Sequence, residues 1–107
     1  MRGGKSIMNI KQQFEDDMRK IFIRAYEECN YRASRFLQMV DNLGGVEAAK
    51  KLILTQTDGF TRLYELNRLD LSVEYLVLKP DYKELFTEEE CEICKFRLKA
   101  AKYPIEN

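Results

Sequence analysis

The sequence predicts an all-α protein, a compact bundle of five to six helices with a long N-terminal helix. Apolar residues recur at spacings of three and four from Ile10 to Cys29, which is the period of one face of an amphipathic helix. Helix-capping residues stand before two later segments, at Ser72 and Thr87. Residues 72–78 include β-branched and aromatic side chains, but the cap at Ser72 favours a helix there, so no strand is predicted.

The first helix is predicted from an N-cap at Asn9 to about Asn30. Its apolar face is formed by Ile10, Phe14, Met18, Ile21, Ala25 and Cys29. Residues 1–8 are expected to form a flexible tail and residues 9–107 a single helical domain. The codons for residues 2–5 would form a purine-rich stretch shortly upstream of Met8, and a ribosome-binding site has this composition and position. We therefore expect the natural start at Met8, with Met1 as the alternative.

The second and third helices are predicted at Ala33–Leu43 and Val46–Leu54, each with apolar residues at helical spacing. Gly44 lies between them, at the position where a helix commonly ends in a left-handed residue. Glycine takes that conformation without a steric penalty because it has no Cβ. The sequence thus predicts a helical hairpin joined at Gly44.

Three further helices are predicted to begin at Asp58, Ser72 and Thr87. Pro80 ends the helix that starts at Ser72 and permits a new turn before the last helix. Thr87 and Glu90 match the capping box, in which each side chain binds the other residue's backbone N–H. This is the most specific helix start in the chain.

Composition excludes several classes of protein. The 107 residues include 18 basic and 18 acidic side chains, so the net charge is zero, whereas nucleic-acid-binding domains usually carry an excess of base. No apolar run approaches the ~20 residues of a membrane-spanning helix, so no membrane partner is predicted. Three cysteines are too few for a disulfide framework, which favours a reducing, cytoplasmic location.

The charge is unevenly divided along the chain. Residues 1–54 hold ten basic and seven acidic side chains, and residues 55–107 hold eight and eleven. We interpret this as weak attraction between two ends of one domain. The alternative is head-to-tail self-association, since charge imbalance bears on association rather than on fold.

The sequence offers little for catalysis. Histidine, the usual general base and the commonest metal ligand, is absent. Cys91 and Cys94 form a CxxC pattern, but zinc needs about four ligands. A reactive thiolate would also be opposed by the acidic residues that surround Cys91. We interpret both cysteines as core residues and predict no catalytic residue, metal site or cofactor, hence no enzyme.

The predicted interaction surface comprises basic residues and one tyrosine: Tyr31, Arg32, Arg35, Lys50 and Lys51. The helix, glycine turn and short helix at residues 35–54 have the outline of a helix-turn-helix. The second of these helices lacks the Arg, Asn and Gln side chains that read base edges near its start. DNA binding is therefore disfavoured and would act mainly through phosphates. Exposed tyrosine rings more often indicate a protein partner.

The chain contains the runs RFLQMVDNLGGVEAAKKLI, DGFTRLYELNRLDLSVEYLVLKP and LFTEEECEICKFRLK. These three runs resemble a recurrent family of short bacterial proteins and protein ends, a small helical domain of unknown function. The resemblance covers about residues 31–103. It implies a bacterial or phage source and a compact helical domain, and it supplies no catalytic residue. Family members commonly have Asn-Pro where this chain has Arg32-Ala33, so the start of the second helix is less sharply defined here.

The sequence therefore favours a non-enzymatic protein-interaction module, an accessory factor in a bacterial or phage process that binds a protein partner or a second copy of itself. The alternative is a nucleic-acid-associated protein that makes mainly phosphate contacts.

Overall fold

The computed structural model describes residues 7–55 and 58–105. Within these ranges the chain forms six α-helices and two 3-10 turns, and no strand. The helices are α1 (Ile7–Cys29), α2 (Ser34–Leu43), α3 (Gly45–Leu54), α4 (Asp58–Glu65), α5 (Val73–Val77) and α6 (Glu88–Ala100). The 3-10 turns are Leu69–Leu71, before α5, and Pro80–Leu85, after it. The predicted all-α bundle with a long first helix is confirmed.

Helix α1 begins at Ile7, two residues before the predicted cap at Asn9, which lies inside the helix. The reason is local: Met8 is a good helix former, so nothing stops the helix at Asn9. Residues 1–6 of the predicted tail lie outside the described residues. At the other end, Asn30 adopts a φ of 55° and ends the helix close to the predicted boundary.

Helices α2 and α3 are joined by a single residue, Gly44, whose φ of 84° confirms the predicted need for glycine. Its ψ of 162° is extended rather than left-handed helical, because the chain turns directly into α3. Glu15 of α1 stabilises this connection between α2 and α3, since its carboxylate accepts a hydrogen bond from the Gly45 N–H at 2.9 Å. Arg19 extends the contact, donating to Glu15 at 3.2 Å and to Asp41 of α2 at 2.7 Å.

The core forms around Phe14 of α1, which is fully buried. The Phe14 ring meets Tyr82 edge to face at 5.0 Å between centroids and Phe86 at 5.2 Å. The rest of this cluster is contributed by α1, α2, α3, α5 and α6: Met18, Val40, Ala48, Ala49, Leu52, Ile53, Val73, Leu76, Val77 and Cys94. A second, smaller cluster joins the end of α1 to α4 and α6: Ala25, Leu63, Leu69, Leu71 and Leu98. Helix α1 therefore lies across the rest of the bundle.

The two cysteines of the CxxC pattern face inward. Cys94 is fully buried and Cys91 is half-buried against the same core cluster, as expected for core residues. Burial raises the pKa of both thiols, so each stays protonated near neutral pH and is a poor nucleophile.

Helix α6 begins at the predicted capping box. The Glu90 N–H donates to Thr87 Oγ1 at 3.1 Å, and the Thr87 N–H donates to Glu90 Oε1 at 2.8 Å. Ser72 caps α5 in the same way, accepting from the Tyr75 N–H at 3.1 Å. Both caps predicted at these positions are confirmed.

We expect Thr87→Ala to lower the free energy of unfolding by about 1 kcal/mol, because the Glu90 N–H loses its acceptor. Thermal or urea unfolding measures this change. Thr61→Ala, an exposed change within α4, serves as the control and should have little effect. Equal free energies of unfolding for the Thr87 variant and the wild type would show that the capping box contributes nothing to stability.

Stability should also depend on alkaline pH through Tyr82, whose hydroxyl donates to Asp17 at 2.5 Å. Burial, together with this hydrogen bond, raises the pKa of Tyr82 to about 12. An unfolded tyrosine titrates near pH ~10, so the stabilisation is complete below that pH and is lost as the pH rises towards 12. We expect Tyr82→Phe to flatten the fall in stability over this range, as measured by urea unfolding. Identical slopes for the two proteins would contradict this assignment.

Candidate functional site

A cleft of about 600 Å³ lies between α1, α2, α4 and the segment that leads into α5. Its volume falls within the range of pockets that bind small molecules or the side chains of a partner. The wall is largely apolar and aromatic, and includes Ile21, Phe22, Ala25, Phe36, Met39, Phe60, Leu63 and Leu71. Such a wall favours burial of an apolar group from water.

The segment between α1 and α2, together with the first turn of α2, supplies the basic side chains of the cleft. Tyr31, Arg32 and Arg35 all line it, and both arginines are exposed to solvent. Ala33 occupies the N-cap of α2 and makes no side-chain hydrogen bond to the helix. The positive end of the α2 dipole therefore adds to the two guanidinium groups. This part of the cleft favours a negatively charged group.

An ionic network holds the end of α1, just before the segment that carries these side chains. Arg68 donates to Glu28, near the end of α1, at 2.8 Å and to Asp70 at 3.0 and 3.1 Å. Hydrogen bonds from Arg24 and Arg68 lower the pKa of Glu28 to about 2. The end of α1 is thereby linked to the 3-10 turn Leu69–Leu71, close to Tyr31.

Glu74 is the one carboxylate on the cleft wall that is deeply buried, with 4% of its surface exposed. It accepts a hydrogen bond from Arg97 of α6 at 2.7 Å. Arg97 also donates to three carbonyl oxygens at the end of α3: Leu52 at 3.4 Å, Ile53 at 2.6 Å and Thr55 at 3.2 Å. This pair fastens α3, α5 and α6 together, so we assign Glu74 a structural role rather than that of a general acid.

The five residues of the predicted interaction surface do not all lie together. Tyr31, Arg32 and Arg35 line one cleft. Lys50 faces α6, where it pairs with Glu90 at 2.9 Å and lies 5.2 Å from the centre of the Phe86 ring. Lys51 is exposed on α3 and does not line the cleft. Because Lys50 is engaged inside the protein, it adds little to any basic surface.

Sequence reasoning missed the Glu74–Arg97 pair and the cleft itself. The sequence did contain a signal for the Glu74–Arg97 pair. Glu74 is the single charged residue in the run Leu71–Leu78, which is otherwise apolar except for the capping Ser72. A charge in such a run is buried when the element packs on both sides, and it then needs a partner. The cleft had no comparable signal, since its wall comes from five separate parts of the chain.

Two features are absent from the part of the chain that the structure describes. Over residues 7–55 and 58–105, no three histidine, cysteine, aspartate or glutamate side chains are grouped so that they could hold a metal ion. In the same ranges, no helix combines the length and apolar character needed to span a membrane.

Comparison with known proteins adds no relative. No protein-family model, curated protein or solved structure matches this chain.

Proposed function

We propose that the protein is a non-enzymatic interaction module that binds an acidic segment of a partner protein through the cleft. One observation carries the proposal: Tyr31, Arg32 and Arg35 line the same apolar cleft of about 600 Å³. The apolar wall would take an anchoring side chain of the partner, and the arginines would pair with its carboxylates.

The residue types support a protein partner. Tyrosine and arginine are enriched among the residues that contribute most to protein interfaces, because each combines a large contact area with directed hydrogen bonds. The exposed arginines and the start of α2 would also speed association with an acidic segment. We place this module among the accessory factors of a bacterial or phage process, as the family resemblance implies.

The competing hypothesis is nucleic-acid binding through phosphates. It draws on the same arginines, but the Lys50–Glu90 pair removes one of the four basic residues on which it rested. The net charge of zero also favours the protein partner. Nucleic-acid binding is therefore an outcome that the test must be able to reveal.

The test is selection from a library of random displayed peptides on the immobilised protein. We expect enriched peptides that combine acidic residues with an aromatic or large aliphatic residue. Their amide chemical-shift changes on the labelled protein should fall on the cleft, around Phe36 and Phe60. Arg32→Glu and Arg35→Glu should each weaken binding about tenfold, whereas the control Lys51→Glu should leave it nearly unchanged.

Two results would contradict the proposal. One is enrichment of peptides without acidic residues, or shift changes away from the cleft. The other is binding of single-stranded or duplex nucleic acid at physiological salt that is lost in Arg32→Glu and Arg35→Glu. That result would indicate that Arg32 and Arg35 bind phosphate groups rather than the carboxylates of a protein partner.

A further inference from the structure

A second groove, of about 510 Å³, lies between α4 and α6 and adjoins the cleft described above, with which it shares Asp58 and Phe60. Two aromatic side chains at the edge of this groove are exposed to solvent: Phe96 of α6, with 73% of its surface exposed, and Tyr64 of α4, with 55%. Ala100 and Ala101 line the groove close to Phe96, and alanines let another helix approach closely. Large aromatic rings exposed together at the edge of a groove indicate an interaction surface.

The exposed face of α6 has an ordered charge pattern. Glu89 and Glu92 precede Phe96 along the helix, and Lys99 follows it. The four residues are spaced by three or four positions, so they lie along one face of the helix. Along these four positions two acidic side chains precede the phenylalanine and a basic side chain follows it, and Glu92 also pairs with Lys95 of the same helix at 3.5 Å.

This pattern is complementary to itself when a second copy of the helix lies antiparallel. With the two Phe96 rings near a common two-fold axis, Glu92 of each helix is level with Ala100 of the other and next to Lys99. The rise of ~1.5 Å per residue places these residues about 4.5–6 Å along the helix on either side of the axis. A parallel arrangement would instead bring Glu92 against Glu92 and Lys99 against Lys99.

We infer that the protein forms a two-fold symmetric homodimer, in which α6 helices pack antiparallel and Phe96 of each copy enters the α4–α6 groove of the other. The charge complementarity identifies a second copy of this chain as the occupant. In such an interface the same surface serves both partners, so each favourable contact occurs twice. The α6 face of this interface is distinct from the cleft, because Glu92, Phe96 and Lys99 do not line the cleft, whereas the groove shares Asp58 and Phe60 with it.

Sedimentation velocity from micromolar to millimolar protein tests the inference. We expect the mass of two chains for the wild type and of one chain for Phe96→Glu, which places two carboxylates in the interface. Circular dichroism should show an unchanged helix content for this variant, because Phe96 is mostly exposed in the single chain. A wild type that sediments as one chain at millimolar concentration would overturn the inference.

Charge reversals test the antiparallel arrangement. Glu92→Lys and Lys99→Glu should each weaken the dimer about tenfold, because each places like charges side by side at two symmetric positions. The double variant Glu92→Lys/Lys99→Glu should restore it, since the pairing is only exchanged. Glu84→Lys, exposed in the 3-10 turn Pro80–Leu85, is the control and should dimerise like the wild type. A double variant no better than the single variants would contradict the arrangement.

Discussion

Replacing Arg97 with methionine is expected to lower the free energy of unfolding by about 3–5 kcal/mol, as measured by urea or guanidinium unfolding. The loss has two sources. Glu74 would remain as an unpaired carboxylate with 4% of its surface exposed. Three carbonyl groups at the end of α3 would also lose their donor. For a domain of this size the loss is a large part of the total stability.

A double variant separates the two sources. In Arg97→Met/Glu74→Leu the buried charge is gone and only the carbonyl groups lack their donor. A buried ion pair replaced by apolar residues of similar volume is often neutral, so the double variant should be more stable than Arg97→Met alone. Arg62→Met, on the exposed side of α4, is the matched control and should cost at most about 0.5 kcal/mol. An Arg97 variant as stable as this control would show that the pair is not needed.

Gly45→Ala is expected to destabilise the protein by about 1–3 kcal/mol, measured in the same way. A Cβ at this position would lie 2.6 Å from Glu15 Cα and 2.8 Å from Glu15 Cβ, so α1 and α3 would have to separate. The hydrogen bond from the Gly45 N–H to the Glu15 carboxylate would be disturbed as well.

The sign of this effect is the test. Alanine in place of glycine in a helix ordinarily stabilises it by up to ~1 kcal/mol, so any net loss has to come from the contact with α1. Lys51→Ala, exposed in the same helix, is the control and should change stability little. An increase in stability for Gly45→Ala would show that the two helices do not approach each other closely there.

The features that could be predicted from the sequence are those that depend on neighbouring residues. Ser72 and Thr87 were identified as caps because a cap binds backbone N–H groups within three residues of itself. Gly44 was identified because a positive φ is a property of one residue. The predicted cap at Asn9 was wrong, since a residue suited to a cap is also tolerated inside a helix when its neighbours favour the helix.

The features that could not be predicted depend on residues far apart in the chain. Arg97 and Glu74 are separated by 23 positions, and Lys50 and Glu90 by 40. Nothing in the local sequence indicates which lysine will pair inside the bundle and which will stay exposed. Part of the candidate site could be predicted from the sequence, because Tyr31, Arg32 and Arg35 are close together in the chain. The apolar wall beside them could be recognised only in the folded structure.

The position of α1 across the bundle has a consequence for the synthesis of the protein. Asp17 of α1 meets Tyr82, a residue 65 positions later, and Phe14 is covered by Tyr82 and Phe86. Chains emerge from the ribosome N-terminus first, so α1 can pack with α2 and α3 while Phe14 still lacks the two aromatic rings that cover it. The nascent chain therefore carries a partly covered α1, and the bundle closes only when the last third of the chain has been released.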